Sequence, residues 1–213
     1  MKISKTWINI SSLLVAFSGM IYELGLAQIL SATLGGTVLR YSVTIGLFTA
    51  TLGLGALAFD FLISKFSFQI LFPFFQKILA WIGFLSPLLL ITIKSGPMIL
   101  SHLPIIAIGF ISGIELPLLM HASKQEDKNF VLAYDYIGMF VGTLLFPLFL
   151  LPHLGVISTL LLASAINALV GISYLKQKSL TFKNISIILV LILDVIALFN
   201  QERILVYASQ LFI

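Results

Sequence analysis

Three acidic residues, Glu23, Glu115 and Asp135, lie inside long apolar segments of this sequence and are its first candidates for chemistry. Glu115 and Asp135 flank one short polar loop, residues 123–129, so we expect the two carboxyl groups at similar depth on neighbouring helices. A carboxylate within a membrane-spanning helix costs roughly 2.5–3.5 kcal/mol on insertion scales, and such residues often serve a substrate, an ion or a proton. The alternative is that each acid is hydrogen-bonded within a helix bundle and contributes only to packing.

Glycines accompany these acids at helical spacing. Two pairs have the small-xxx-small pattern: Gly109 with Gly113, and Gly138 with Gly142. Because such pairs let another helix approach closely, we predict that both are helix-packing sites. Asp135 shares a helix face with the second pair, so it is predicted to face a neighbouring helix rather than lipid. Glu115 lies off the face of the first pair and is predicted to point elsewhere in the bundle.

The composition is that of a polytopic helical membrane protein. Hydrophobic residues make up 60% of the chain, charged residues only 9%, and the mean hydropathy is +1.14, whereas soluble proteins carry about 25% charged residues. The net charge of +4 is spread over connecting loops, so we expect the lipid bilayer as partner and no nucleic acid. With no cysteine and no histidine at metal-ligand spacing, the sequence predicts no metal site.

Seven segments are apolar and long enough to cross a bilayer, which needs about 20 residues. They cover residues 7–30, 41–63, 74–93, 98–120, 130–151, 154–175 and 184–200. We therefore predict an all-α fold, a polytopic membrane bundle of about seven transmembrane helices over residues 1–200. Prolines within or beside these segments are expected to kink or end the helices.

Lysine and arginine are distributed unevenly between the two sides that this count defines. Nine fall on the side of the N-terminus: Lys2, Lys5, Lys65, Lys77, Lys124, Lys128, Lys176, Lys178 and Lys183. Three fall on the other side: Arg40, Lys94 and Arg203. The positive-inside rule then predicts a multi-pass protein of the cell membrane with a cytoplasmic N-terminus and, with seven spans, an outer C-terminus.

A glycine-rich run at residues 53–58, GLGALA, superficially matches a dinucleotide-binding fingerprint. That fingerprint needs a preceding strand and the start of a helix, whereas this run lies within an apolar helix. We interpret it as a site of close helix packing and predict no cofactor for this chain.

Several patterns together resemble the membrane half of the membrane-bound spermidine synthases, a family of polyamine aminopropyltransferases. They are Ser18-Gly19, Tyr22-Glu23 and Leu34-Gly35; Glu115-Leu116-Pro117-Leu118-Leu119; Leu132-Ala133-Tyr134-Asp135-Tyr136-Ile137-Gly138; Phe146-Pro147; Leu151-Pro152-His153-Leu154-Gly155; and Asn167. The resemblance extends over essentially the whole chain, and the two patterns that contain Glu115 and Asp135 are its most specific part.

In the family, a soluble catalytic domain follows the membrane half and transfers an aminopropyl group from decarboxylated S-adenosylmethionine to putrescine. The resemblance implies that the tail, residues 201–213, corresponds to the start of that domain and that this chain holds no catalytic residue. It further implies that the chain anchors or assists a separately encoded or lost catalytic domain, a soluble spermidine synthase-like subunit, and is not active by itself. Such a domain is expected inside the cell, which conflicts with the outer C-terminus that seven spans predict.

A second hypothesis is a transporter or channel subunit for a cationic solute such as a polyamine. Spermidine carries about three positive charges, so several carboxylates in a medium of low dielectric could hold it. Glu23 is expected toward the outer side of its span and the other two acids toward the inner side, so the three need not converge. A third hypothesis is a structural membrane subunit without a ligand.

Overall fold

The structure, a computed structural model, describes residues 4–92, 98–175 and 182–200, and the fold within these ranges is helical. The helices are α1 (Lys5–Leu34), α2 (Thr37–Lys65), α3 (Phe68–Thr92), the single turn α4 (Met98–Ser101), α5 (Leu103–Ala122), α6 (Lys128–Leu145), α7 (Leu151–Ser173) and α8 (Phe182–Phe199). A 3-10 turn, Gln125–Asp127, precedes α6, and a π-helical turn, Phe146–Leu150, follows it. The described ranges contain no strand, which confirms the all-α prediction.

Five helical segments of the described ranges are long and apolar enough to cross a bilayer. One of them, Gln125–Ser173, is 49 residues long and covers the predicted span 130–151 and most of 154–175, while the apolar segment Ile185–Phe199 is shorter than a full span. The predicted count of about seven transmembrane helices is therefore not confirmed.

Prolines do not separate the two spans within the long segment. Pro147 lies in the π-helical turn, and Pro152 is the second residue of α7, which continues directly from that turn. The helical geometry is interrupted later, at Gly155, whose φ of 74° and ψ of 166° favour a residue without a Cβ.

Helix α1 is the centre of the bundle. It packs against α2, α3, α5, α6 and α7. In its most apolar stretch 61% of the residues are buried, against 17% in α2, so α2 lies at the periphery. The Ser4 hydroxyl, which accepts a hydrogen bond from the Trp7 N–H at 3.2 Å, caps the start of α1. Five of the described helices therefore pack around one continuous central helix.

Glycines allow two of the closest crossings. Where α5 crosses α2, a Cβ on Gly113 would meet the backbone of Leu52, and a Cβ on Gly109 would meet the Phe48 backbone. Backbone atoms cannot move aside as the end of a flexible side chain can, so this crossing depends on residues without a Cβ.

Where α6 crosses α1, the arrangement is similar. A Cβ on Gly138 would lie 2.9 Å from the Leu13 carbonyl carbon, and a Cβ on Gly142 would lie 3.0 Å from the Phe17 carbonyl oxygen. The close approach brings the face of α6 that carries Asp135 directly against α1.

Several predictions fall outside the described residues. These are the tail at 201–213, and the loop charges Lys2, Lys94, Lys176, Lys178 and Arg203. The division of the chain into residues 1–200 and a tail stays a prediction.

Candidate functional site

A cavity of about 250 Å³ lies among α1, α2, α5 and α6, and both Glu115 and Asp135 contribute to its wall. Ser112 and Tyr136 also line it, and most of the remaining wall is apolar, including Phe48 and Leu52 of α2. The structure thus brings together the two acids that flank the polar loop in the sequence. A small apolar cavity with few polar groups is the usual form of a ligand site.

Asp135 lies against α1, beside Ser12. Its side chain is 9% exposed and hydrogen-bonds with the Ser12 hydroxyl, which also lies 3.0 Å from the Val131 carbonyl oxygen. A hydroxyl group carries one proton and can donate to only one acceptor at a time. The Ser12 hydroxyl therefore either donates to one of the two oxygens, or donates to the Val131 carbonyl and accepts a hydrogen bond from a protonated Asp135.

Glu115 is more deeply buried, at 1% exposure. Its Oε1 accepts a hydrogen bond from the Nε2 of Gln76, a residue of α3 that is itself fully buried. Its Oε2 has no hydrogen-bond partner among the described residues, and neither has the Ser112 hydroxyl. Oε2 of Glu115 can therefore accept a hydrogen bond from a further donor. Such a donor would relieve the cost of a buried polar atom without a partner, which is about 1–3 kcal/mol.

The two carboxyl groups are close enough to interact electrostatically. Two carboxylates that share a cavity of low dielectric repel each other, and a bound cation or a proton removes that repulsion. The chemistry that this cavity offers is therefore the binding of a proton or a positively charged group.

Glu23 is not brought to the other two acids. It is buried on α1, at 6% exposure, and it does not line the cavity, although Gly19, one turn earlier, does. Within the described ranges, no group of three or more His, Cys, Asp or Glu side chains is placed to hold a metal ion.

No pattern in the sequence singled out Gln76. It follows a phenylalanine-rich stretch at 66–75 and lies 39 residues from Glu115. The only available signal was a polar amide beside Lys77 in a segment that is mostly apolar.

The fold and the cavity define an all-helical protein with helices of membrane-spanning length and acids inside the bundle. The chain is 34% identical, over 75% of its length, to polyamine aminopropyltransferase 1 of Streptomyces coelicolor. It is 28% identical over 97% of its length to the polyamine aminopropyltransferase of Leptospira interrogans, and 29% identical over 92% to polyamine aminopropyltransferase 2 of Aquifex aeolicus.

By sequence, the chain is similar to polyamine aminopropyltransferases, which confirms the predicted resemblance to that family. It spans 32%, 43% and 41% of the length of these three relatives, respectively. No protein-family model and no solved structure matches the chain.

Proposed function

We propose that the chain forms the membrane-embedded part of a polyamine aminopropyltransferase and holds a catalytic domain at the membrane. Two findings support this proposal: the alignment with a longer relative and the helices of membrane-spanning length. Nearly the whole chain, 97%, aligns with a relative named for this activity, of which it spans only 43%. Five segments of the described residues are apolar helices of spanning length, which suits an anchor.

The first test is the DNA that follows the codon of Ile213. We expect it to encode, in the same frame or in an adjacent gene, a β-rich start followed by a glycine-rich cofactor loop. If neither is present, the next test co-expresses the chain with the tagged part of the Leptospira interrogans enzyme that the alignment leaves uncovered. Recovery of that part in the membrane fraction only when the chain is present supports anchoring, and its recovery in the soluble fraction in both cases contradicts it.

In this proposal the N-terminus lies at the cytoplasmic face of the cell membrane. A cavity of about 530 Å³ is lined by Lys5 at the start of α1, Ser67 before α3, and Lys124 after α5. Lys5 also pairs with Asp127, with 2.6 Å between Nζ and Oδ1. These helix ends therefore share one end of the bundle, and the positive-inside rule assigns a lysine-rich end to the cytoplasm.

Site-directed labelling tests this orientation, because the natural chain has no cysteine. We expect Gln125→Cys to react with a membrane-impermeant maleimide only from the cytoplasmic side, and Thr37→Cys, in the α1–α2 connection, only from the outer side. The reverse pattern contradicts the proposed orientation. Asn200→Cys reports where α8 emerges, and labelling from outside would contradict a cytoplasmic catalytic domain that directly follows the chain.

The cavity favours a second candidate function, which is transport of a cationic solute such as a polyamine. Its support is that Glu115 and Asp135 line one cavity and that Glu115 Oε2 has no partner among the described residues. In proteoliposomes, we expect Glu115→Gln and Asp135→Asn each to reduce spermidine uptake about tenfold, the effect of losing about 1.4 kcal/mol of charge interaction. Glu126→Gln, which changes a loop acid whose side chain is 75% exposed, serves as the matched control. Uptake that survives both cavity substitutions rules out a carboxylate-dependent carrier.

A further inference from the structure

A second group of buried polar side chains lies in the core beside the cavity, with Tyr22 of α1 at its centre. The Tyr22 hydroxyl accepts a hydrogen bond from Asn167 Nδ2 at 3.0 Å and donates to the Leu79 carbonyl oxygen at 3.3 Å. Gly83 of α3 leaves room for the ring, since a Cβ there would lie 2.6 Å from the Tyr22 Cε1 atom. The Tyr22 hydroxyl is also close enough to Glu115 and to Asp194 of α8 to interact electrostatically with both.

Asp194 lies at the far side of this group and is fully buried. Its Oδ2 is 2.7 Å from the Ser164 hydroxyl, which is equally 2.7 Å from the Ala80 carbonyl oxygen. The single hydroxyl proton of Ser164 can serve only one of these two contacts. Both contacts are hydrogen bonds at once only when Asp194 carries a proton and donates it to Ser164.

Four acceptor oxygens in this region have no donor among the described residues. They are Gln76 Oε1, Glu115 Oε2, Asn167 Oδ1 and Asp194 Oδ1. Each belongs to a side chain that is at most 1% exposed, and each lacks a donor rather than an acceptor. Water is the smallest group that supplies donors, and buried water typically makes about three hydrogen bonds to polar groups of this kind.

The elements place these oxygens along one route. Gln76 of α3 is hydrogen-bonded to Glu115 of α5. The Tyr22 hydroxyl is hydrogen-bonded to the Leu79 carbonyl, almost one turn further along α3. Asn167 and Ser164 are one turn apart on α7, and Ser164 contacts both α3 and α8. The route therefore begins at the cavity wall with Glu115 and ends at Asp194.

We propose that this polar path, formed by Glu115, Gln76, Tyr22, Asn167, Ser164 and Asp194, is hydrated and carries protons between Asp194 and the cavity. In one transfer, the O–H bond of the Asp194 carboxylic acid breaks and an O–H bond forms on the adjacent water. Each water or hydroxyl group passes on one proton, and the last O–H bond forms on Glu115. Asp194 becomes a carboxylate and Glu115 becomes a carboxylic acid, so one proton is transferred and no electron is transferred.

The path goes beyond the proposed function, since it needs neither a catalytic domain nor a transported solute. The test is hydrogen–deuterium exchange of the Asp194 carboxylic acid, followed by infrared spectroscopy on the full chain in lipid. The carbonyl band is assigned by its loss in Asp194→Asn. We expect it to shift on transfer to D2O, and to shift about tenfold more slowly in Tyr22→Phe, the effect of one lost hydrogen bond on the barrier.

Tyr174→Phe is the matched control, because the Tyr174 hydroxyl is also bonded in the core, to Ser11 Oγ at 2.9 Å, away from the path. It should exchange at the natural rate. Glu115→Gln, which preserves shape, should slow exchange as Tyr22→Phe does and provides a second variant if Tyr22→Phe fails to fold. The proposal is overturned if no band belongs to Asp194, or if both path variants exchange at the natural rate.

Discussion

The two acids of the cavity are held in different ways. Asp135 lies one turn before Gly138, where α6 approaches α1 so closely that a Cβ would meet the backbone of Leu13. Glu115 lies on α5, whose glycines face α2, while its carboxyl group reaches in another direction to Gln76 of α3. Asp135 is therefore positioned by the crossing of two backbones, whereas Glu115 is positioned by a single side-chain contact.

The largest effect is expected from breaking the crossing itself, with Gly138→Leu. The added side chain must displace the α1 backbone, and overpacking of this kind costs about 3 kcal/mol. We expect a corresponding loss of stability in a detergent unfolding titration.

Gly53→Leu is the matched control for this substitution. Gly53 is exposed on α2, and a Cβ there would meet nothing within 4 Å. This variant should stay within about 0.5 kcal/mol of the natural protein. Equal destabilisation by both substitutions would show that the α1–α6 crossing does not hold Asp135.

This difference explains what the sequence could predict and what it could not. The spacing of Asp135, Gly138 and Gly142 places all three on one helix face, so their relation to a neighbouring helix was readable from the sequence. The partner of Glu115 was not readable, because the Gln76 contact joins two helices and follows no periodic pattern.

The same reasoning applies to the fold. Hydropathy was sufficient for the all-α class, since each apolar run is long enough to form a helix whose backbone groups are paired internally. The number of spans depends on where one helix ends and the next begins. Pro147 suggested a kink or an end, but the chain continues as a helix through it and through Pro152, and the helical geometry is interrupted at Gly155.

A smaller effect is expected from breaking the contact of Glu115, with Gln76→Leu. The substitution removes the donor to a carboxyl group that is 1% exposed, and a buried acceptor without a partner costs about 1–3 kcal/mol. Gln69→Leu, at an exposed position of the same helix, is the control and should change the unfolding free energy little. If Gln76→Leu is as stable as Gln69→Leu, the side-chain contact does not position Glu115.

Ser12→Ala should have a still smaller effect, about 1 kcal/mol, which is typical of one hydrogen bond. The crossing at Gly138 remains intact in this variant, so Asp135 should keep its place while losing a partner. A double-mutant cycle with Asp135→Asn measures the interaction directly. A coupling as large as the cost of Gly138→Leu would contradict the view that the backbone crossing positions this acid.

The smallest effect is expected at the third acid. Glu23 lies on α1 outside the cavity, whereas Glu115 and Asp135 share its wall. A ligand that occupies the cavity should therefore shield those two carboxyl groups and leave Glu23 unaffected. In labelling with a hydrophobic carbodiimide, followed by mass spectrometry, we expect spermidine to protect Glu115 and Asp135 but not Glu23. Equal protection of all three acids would mean that the ligand reaches beyond the cavity. The site would then include Glu23 as well as the two acids of the cavity wall.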